Sequence, residues 1–269
     1  MEETAFITLH ARVLDTQTAE PILDDPYATQ VAYSVDYDFH RLKSNATLDL
    51  WERLNVAIRA VQFDEWILAF IAQNPDAVVL DLGCGLDSRP YRLGPPPGVD
   101  WFDVDFPAMI ALRQSVYRAV SNIHPVATAL EADGWLERLP AGRPVIAVAD
   151  GVHPFMTRST FTHLLRRLTT HFQIGELLLL GFSRLSGRKM ALASRVTGGL
   201  PVVINEGFDD PHEVELWNPD LRLVERRRLI DAPEVEKTPQ RFRWQCKVMR
   251  WIPPLSDMDK GMLRYRFGP

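Results

Sequence analysis

Val78-Val79-Leu80-Asp81-Leu82-Gly83-Cys84-Gly85-Leu86-Asp87-Ser88-Arg89 decides the reading of this chain. Its first half is an aliphatic run interrupted only by Asp81, the pattern of a strand buried on both faces of a parallel sheet. Gly83 and Gly85 then let the backbone turn sharply and approach a ligand with no side chain in the way. Ligands of open α/β sheets bind just beyond the carboxyl ends of such strands, so this turn is the expected seat of a nucleotide-like cofactor.

On the carboxyl side the pattern alternates. Strands are expected over 99–105, 125–130, 144–150 and 177–182, with helices opening at Pro107 and spanning Arg158–His171. Strands alternating with helices predict an α/β fold with a doubly wound, mostly parallel sheet. Closing strands are expected near 221–224 and 242–251; their polar alternation suggests antiparallel pairing. On the amino side, residues 1–75 read as a helical cap: Leu48, Trp51, Leu54, Ile58, Val61 and Phe70 recur at roughly helical spacing up to Asn74-Pro75. The expected organisation is one domain over 1–269: cap at 1–75, cofactor-binding core at 76–183, and a sheet-completing, acceptor-side region at 184–269.

Composition narrows the partners. A formal net charge of -5 over 269 residues argues against nucleic acid, which calls for a basic surface. The two cysteines, Cys84 and Cys246, lie far apart without metal-site spacing, which fits a reduced, cytoplasmic setting. No apolar run reaches the roughly 18 residues of a membrane span, and Met1-Glu2-Glu3 does not open a signal pattern. No membrane partner and no metal are expected. Oligomeric state is not legible.

The glycine pair alone suits a dinucleotide or S-adenosylmethionine. The dinucleotide fingerprint wants a third small residue where Ser88 stands, with bulky Arg89 next to it. Asp81, two residues before the first glycine, favours the ammonium-bearing cofactor. Asp103 and Asp105 stand about twenty residues on, where a ribose hydroxyl is held in either case. Asp133 and Asp150 end the next two expected strands. Any one of these acids could equally cap a helix. Together they suit a ligand with an ammonium, hydroxyls and an exocyclic amine, and would repel a diphosphate.

These residues also carry a resemblance. The run Val79 to Leu93, followed by Trp101-Phe102-Asp103-Val104-Asp105-Phe106-Pro107, resembles the leucine carboxyl methyltransferase family, in its bacterial polyketide-type (tetracenomycin-like) O-methyltransferase branch. Ala11-Arg12, Asp24-Asp25-Pro26-Tyr27-Ala28, Asp209-Asp210-Pro211, Trp217-Asn218-Pro219 and Arg264-Tyr265-Arg266-Phe267 extend it over nearly the whole chain. The resemblance implies a class I S-adenosylmethionine-dependent methyltransferase fold and O-methylation of a small-molecule carboxylate or phenol. It implies Arg59 on the cofactor carboxylate, with Arg12 as a second basic contact, and Gly83 and Gly85 along the methionine portion. Asp105 would hold the ribose beside Asp103, and Asp133 with Gly134 the adenine. Two departures stand out: the family's Glu-Gly-Val-Leu-Met-Tyr-Leu is here Asp150-Gly151-Val152-His153-Pro154-Phe155-Met156, and Ala60 replaces a threonine. His153, just past the fourth strand, is the candidate acceptor contact; no catalytic residue is assigned. Methylation of a protein C-terminal carboxylate and a cofactor-binding module without chemistry are the competing functions, a nicotinamide dehydrogenase the more distant one.

Overall fold

A computed structural model describes residues 2–39, 50–188, 205–252, 256 and 258–269. Leu48 and His40 lie outside the described residues. The chain opens with α1 (Glu2–Thr16), α2 (Pro26–Ser34) and the long α3 (Leu50–Gln73). Then follow β1 (Val78–Leu82), α4 (Arg89–Leu93), β2 (Asp100–Asp105), α5 (Pro107–Val116), β3 (Ile123–Ala127), β4 (Val145–Ala149), α6 (Arg158–His171) and β5 (Gly175–Leu180). The remainder holds α7 (Glu213–Trp217), β6 (Arg222–Arg227), α8 (Gln240–Trp251) and β7 (Met262–Phe267).

The strands form one seven-stranded sheet in the order β3-β2-β1-β4-β5-β7-β6. Pairing is parallel from β3 through β5, and β7 runs antiparallel to both β5 and β6. Strand order reverses at β1, which lies between β2 and β4, so the ligand crevice opens at the carboxyl ends of those strands.

The two-residue period of β1 divides it between two cores. Val78, Leu80 and Leu82 pack with β4, β5 and α6 on one face, while Val79 joins Phe63, Trp66 and Ile67 of α3 on the other. Asp81 follows Val79 by two residues and therefore points to the α3 side at the strand's end. That alternation delivers a carboxylate to the residues carried by α3. Asp25 caps α2, accepting from the N–H groups of Tyr27 and Ala28, with Pro26 at the first turn where its missing N–H is no loss.

The closing region departs from expectation. Residues 242–251 form helix α8, because Phe242, Cys246 and Met249 fall at i, i+4 and i+7 and pack on Leu54, Ile58 and Ile230. The alternation of Phe242, Trp244, Cys246 and Val248 that suggests a strand is split by the helix between a buried and an outer face. The strand that closes the sheet is β7, whose buried Leu263, Tyr265 and Phe267 alternate with Arg264 and Arg266. Those arginines pair with Glu176 of β5.

Candidate functional site

Beyond the ends of β1, β2 and β4 lies a cavity of about 880 Å³. Arg59, Asp81, Gly83, Gly85, Asp105 and Asp150 line it, together with Arg12 and Arg89. Its far wall is Thr128, Leu130 and Glu131; its outer wall is Thr4, Ala5 and Thr8 of α1 facing Val152, Phe155, Met156 and Thr160.

The glycine turn is a cradle that side chains would fill. Gly83 and Gly85 adopt φ +65° and +50°, left-handed conformations that favour glycine. A Cβ at Gly83 would come 2.6 Å from Val152, and one at Gly85 3.3 Å from Ala5. The turn is held from behind: Asp105 accepts from the Gly85 N–H (2.8 Å) and from the Phe106 N–H (2.7 Å). Burial pushes the Asp105 carboxyl up, and these two N–H groups offset part of that. Each carboxylate oxygen takes one backbone donor and keeps a lone pair for a hydroxyl in the cavity.

At the other end sits a buried ionic cluster with Arg89 at its hub. Arg89 is fully buried; its Nε donates to Asp64 (2.9 Å), Nη1 to Asp81 (3.3 Å) and Nη2 to Asp150 (3.4 Å). Arg92 bridges Asp64 and Asp87 (2.7 Å each), and Arg12 of α1 donates to Asp87 (2.6 Å). Asp87 is held well below the carboxylate range: burial pushes it up, but Arg12, Arg89 and Arg92 together outweigh it. For Asp81 the balance tips the other way. Burial, with Asp87 and Asp103 nearby, outweighs Arg89 and raises it to about 7.

Some donors in this cluster are unspent. Arg12 Nε and Nη1 are buried without a hydrogen-bond partner. Arg59 Nε lies 2.9 Å from Asp150 Oδ1, yet the two make no aligned hydrogen bond. A buried guanidinium with spare N–H groups is costly unless a ligand completes it. A carboxylate meets that need, and an ammonium would relieve the raised Asp81. Hydroxyl acceptors at Asp105 and the side-chain-free cradle suit a ribose and its thioether arm. The residues present thus fit S-adenosylmethionine.

Other residues singled out in the sequence lie elsewhere. Asp103 shares the Asp105 face of β2 but sits one pleat, about 6.6 Å, further from the strand end. There it accepts from Trp101 Nε1 (3.1 Å) and pairs with Arg113 of α5, outside the cavity lining. Arg113 also donates to the Gly85 and Asp87 carbonyls (2.9 and 2.8 Å), so this pair braces the turn from below. Asp133 is 90% exposed, 3.7 Å from Arg167, and neither it nor Gly134 lines the cavity. β3 ends at Ala127, so the chain crosses the crevice at Thr128–Glu131 and has left it by 133. His153 does not reach the cavity either. The short helical turn His153–Phe155 directs its ring inward, against Phe161, Phe208 and Trp217 at centroid distances of 4.9, 5.5 and 5.7 Å. Both ring nitrogens lack partners, and burial, aided by Arg158, lowers its pKa to about 4.

Sequence reasoning missed Arg89, Asp64, Asp87, Arg92 and Glu131. One signal was present: an arginine at a close-packed strand–helix turn requires buried acids, and Asp81 and Asp87 flank it.

A doubly wound sheet with this crevice, open to an ammonium, a carboxylate and a ribose and closed to a diphosphate by its acids, belongs to an S-adenosylmethionine-dependent methyltransferase. Comparison with known proteins agrees. The chain is 34% identical over 99% of its length to the tetracenomycin polyketide synthesis O-methyltransferase TcmP of Streptomyces glaucescens, covering 97% of that protein. It is also 34% identical over 84% of its length to the S-adenosyl-L-methionine-dependent methyltransferase dpfgK of Gibberella zeae, covering 81% of it. Among solved structures it overlays the plantazolicin methyltransferase BamL with a TM-score of 0.49 at 10% identity, over 99% of this chain and 98% of that one. The profile of the Leucine carboxyl methyltransferase family matches residues 5–169, and the chain belongs to that family.

Proposed function

We propose that this methyltransferase alkylates an oxygen, a carboxylate or a phenol, of a small polyketide-like acceptor. The observation that carries the reading is the outer part of the cavity. Apolar Val152, Phe155 and Met156 face the hydroxyl-bearing Thr4 and Thr8 of α1, next to the glycine cradle. A flat, oxygenated ring system suits such walls. Similarity to the tetracenomycin O-methyltransferase along nearly the whole chain supports an oxygen acceptor of this class.

Arg12 and Arg59 would hold the cofactor's carboxylate, Asp81 its ammonium, Asp105 its ribose, and Glu131 with Leu130 would border the adenine. The bound cofactor supplies an electrophilic methyl on a sulfonium. The chain's share of the work is positioning and exclusion of water. Helix α1 lines the cavity with Thr4, Ala5 and Thr8, is tied down by Arg12 to Asp87, and would shield the acceptor from solvent. A carboxylate acceptor is already anionic and needs no proton removed; a phenol sheds its proton before or during transfer.

The test is a set of aromatic carboxylic acids, phenols, amines and carbon nucleophiles incubated with enzyme and cofactor, read by mass spectrometry for a 14-dalton gain and by base hydrolysis of the product. A hydrolysable gain identifies an ester and a stable one an ether. Methyl transfer only to nitrogen or carbon acceptors would overturn the reading.

A further inference from the structure

Among the described residues, helix α8 presents an outer face with no partner. Phe242, Cys246 and Met249 turn toward the core, while Trp244, Val248 and Trp251, at i, i+4 and i+7, turn outward. Trp244 is 64% and Trp251 86% exposed, and Ile252 beyond the helix end is 41% exposed. Large apolar side chains left this open on one helix face, with part-buried Val248 between them, mark a contact surface.

The charge around the row says what covers it. The helix reads Gln-Arg-Phe-Arg-Trp-Gln-Cys-Lys-Val-Met-Arg-Trp, with no acid, in a chain of formal net charge -5. Arg243 and Arg250 are engaged inward, on the Glu236 carbonyl (2.9 Å) and Asp231 (2.9 Å). Arg241 and Lys247 are exposed and flank the indoles. Indoles between cations on a convex helix are the features of an interfacial membrane helix: the rings sit at headgroup level and the cations meet anionic lipid. A protein partner would need matched pockets for two protruding indoles; a headgroup layer needs none.

We propose that the outer face of α8 seats the protein on an anionic membrane surface. This involves no spanning segment, since among the described residues no helix is long and apolar enough to cross a membrane. It is also independent of which acceptor is methylated.

The test is co-sedimentation of the full chain with vesicles of phosphatidylcholine alone and of phosphatidylcholine with phosphatidylserine. Binding is expected on the serine-containing vesicles and falls as salt rises. The pair Trp244→Ala and Trp251→Ala weakens it at least about tenfold. The pair Arg241→Glu and Lys247→Glu does the same by reversing the charge. Cofactor binding is unchanged in both variants, which shows that they are folded. No sedimentation with either vesicle, or equal sedimentation with both, overturns the proposal. So does concentration-dependent self-association of the wild type that the tryptophan pair abolishes, because the face then belongs to a second copy.

Discussion

At the scale of single residues, the site is governed by charges buried in balance. Arg89 meets Asp64, Asp81, Asp87 and Asp150; removing it would leave buried Asp81 without its arginine, while Asp64, Asp87 and Asp150 keep Arg92, Arg12 and Arg59. His153 is the opposite case, a neutral polar ring in an aromatic cage. Its pKa is lowered to about 4, so the unfolded chain binds more protons than the folded one between about pH 4 and 6.5. Stability associated with this ring is therefore full above about pH 6.5 and is lost as pH falls toward 4, by about 3 kcal/mol. His153→Phe keeps the cage filled and removes the proton site. Urea unfolding at pH 4.5, 5.5 and 7 is expected to show near wild-type stability at neutral pH and a shallower acid decline. An unchanged acid limb would mean the ring is not the group that titrates. The same variant is expected to keep most of its methyl transfer, because the ring does not line the cavity.

At the scale of elements, α1 is a wall of the cavity. Ala5 stands against Gly85, Thr4 and Thr8 face the cavity, and Arg12 anchors the helix to Asp87 beneath the glycine turn. Phe6 stacks on Tyr37 at 4.1 Å and fixes the opposite face of the same helix. Arg12→Met removes the ionic anchor but keeps the stem. Hydrogen exchange is expected to quicken across 2–16 while β1, β4 and β5 stay protected, and cofactor affinity is expected to drop at least about tenfold with the loss of a charged partner. Exchange that speeds uniformly through the sheet would show Arg12 to be a global stabiliser instead. Sequence patterning read β1, β4 and β5 well because buried parallel strands are continuous aliphatic runs, but it set the third strand at 125–130, whereas β3 is an edge strand over 123–127 with alternating burial. It misread 242–251, where Phe242, Trp244, Cys246 and Val248 mimic strand alternation, and passed over 262–267, whose arginines look solvent-bound until Glu176 is placed opposite them.

At the scale of the molecule, Asp81, as the proposed partner of the cofactor's ammonium, would couple ligand binding to proton binding. Burial raises its pKa to about 7, so the free protein holds a proton there at moderately acid pH. A folded pKa above the unfolded one favours folding at low pH, and that contribution is lost as pH rises through about 7. An ammonium ligand needs the ionised carboxylate, so its binding releases the proton. Cofactor affinity measured by calorimetry is expected to rise nearly tenfold per unit as pH climbs toward 7, then level off, with proton release on the rising limb. Asp81→Asn is expected to bind more weakly at pH 8 and to lose the slope. A wild-type profile flat from pH 5 to 8 would remove Asp81 from the ammonium site.

The fold and the location of the crevice lay in the sequence, because aliphatic runs, a paired-glycine turn and strand-end acids are local signals that need no partner to be interpreted. Which acids line the cavity did not. Asp103 and Asp105 share a strand face and differ only in the depth at which Arg113 covers one of them. Asp133 and Glu131 differ by where the chain leaves the crevice, and His153 by which way one short turn faces. These are questions of what packs against a side chain from distant parts of the chain, and only the tertiary structure answers them.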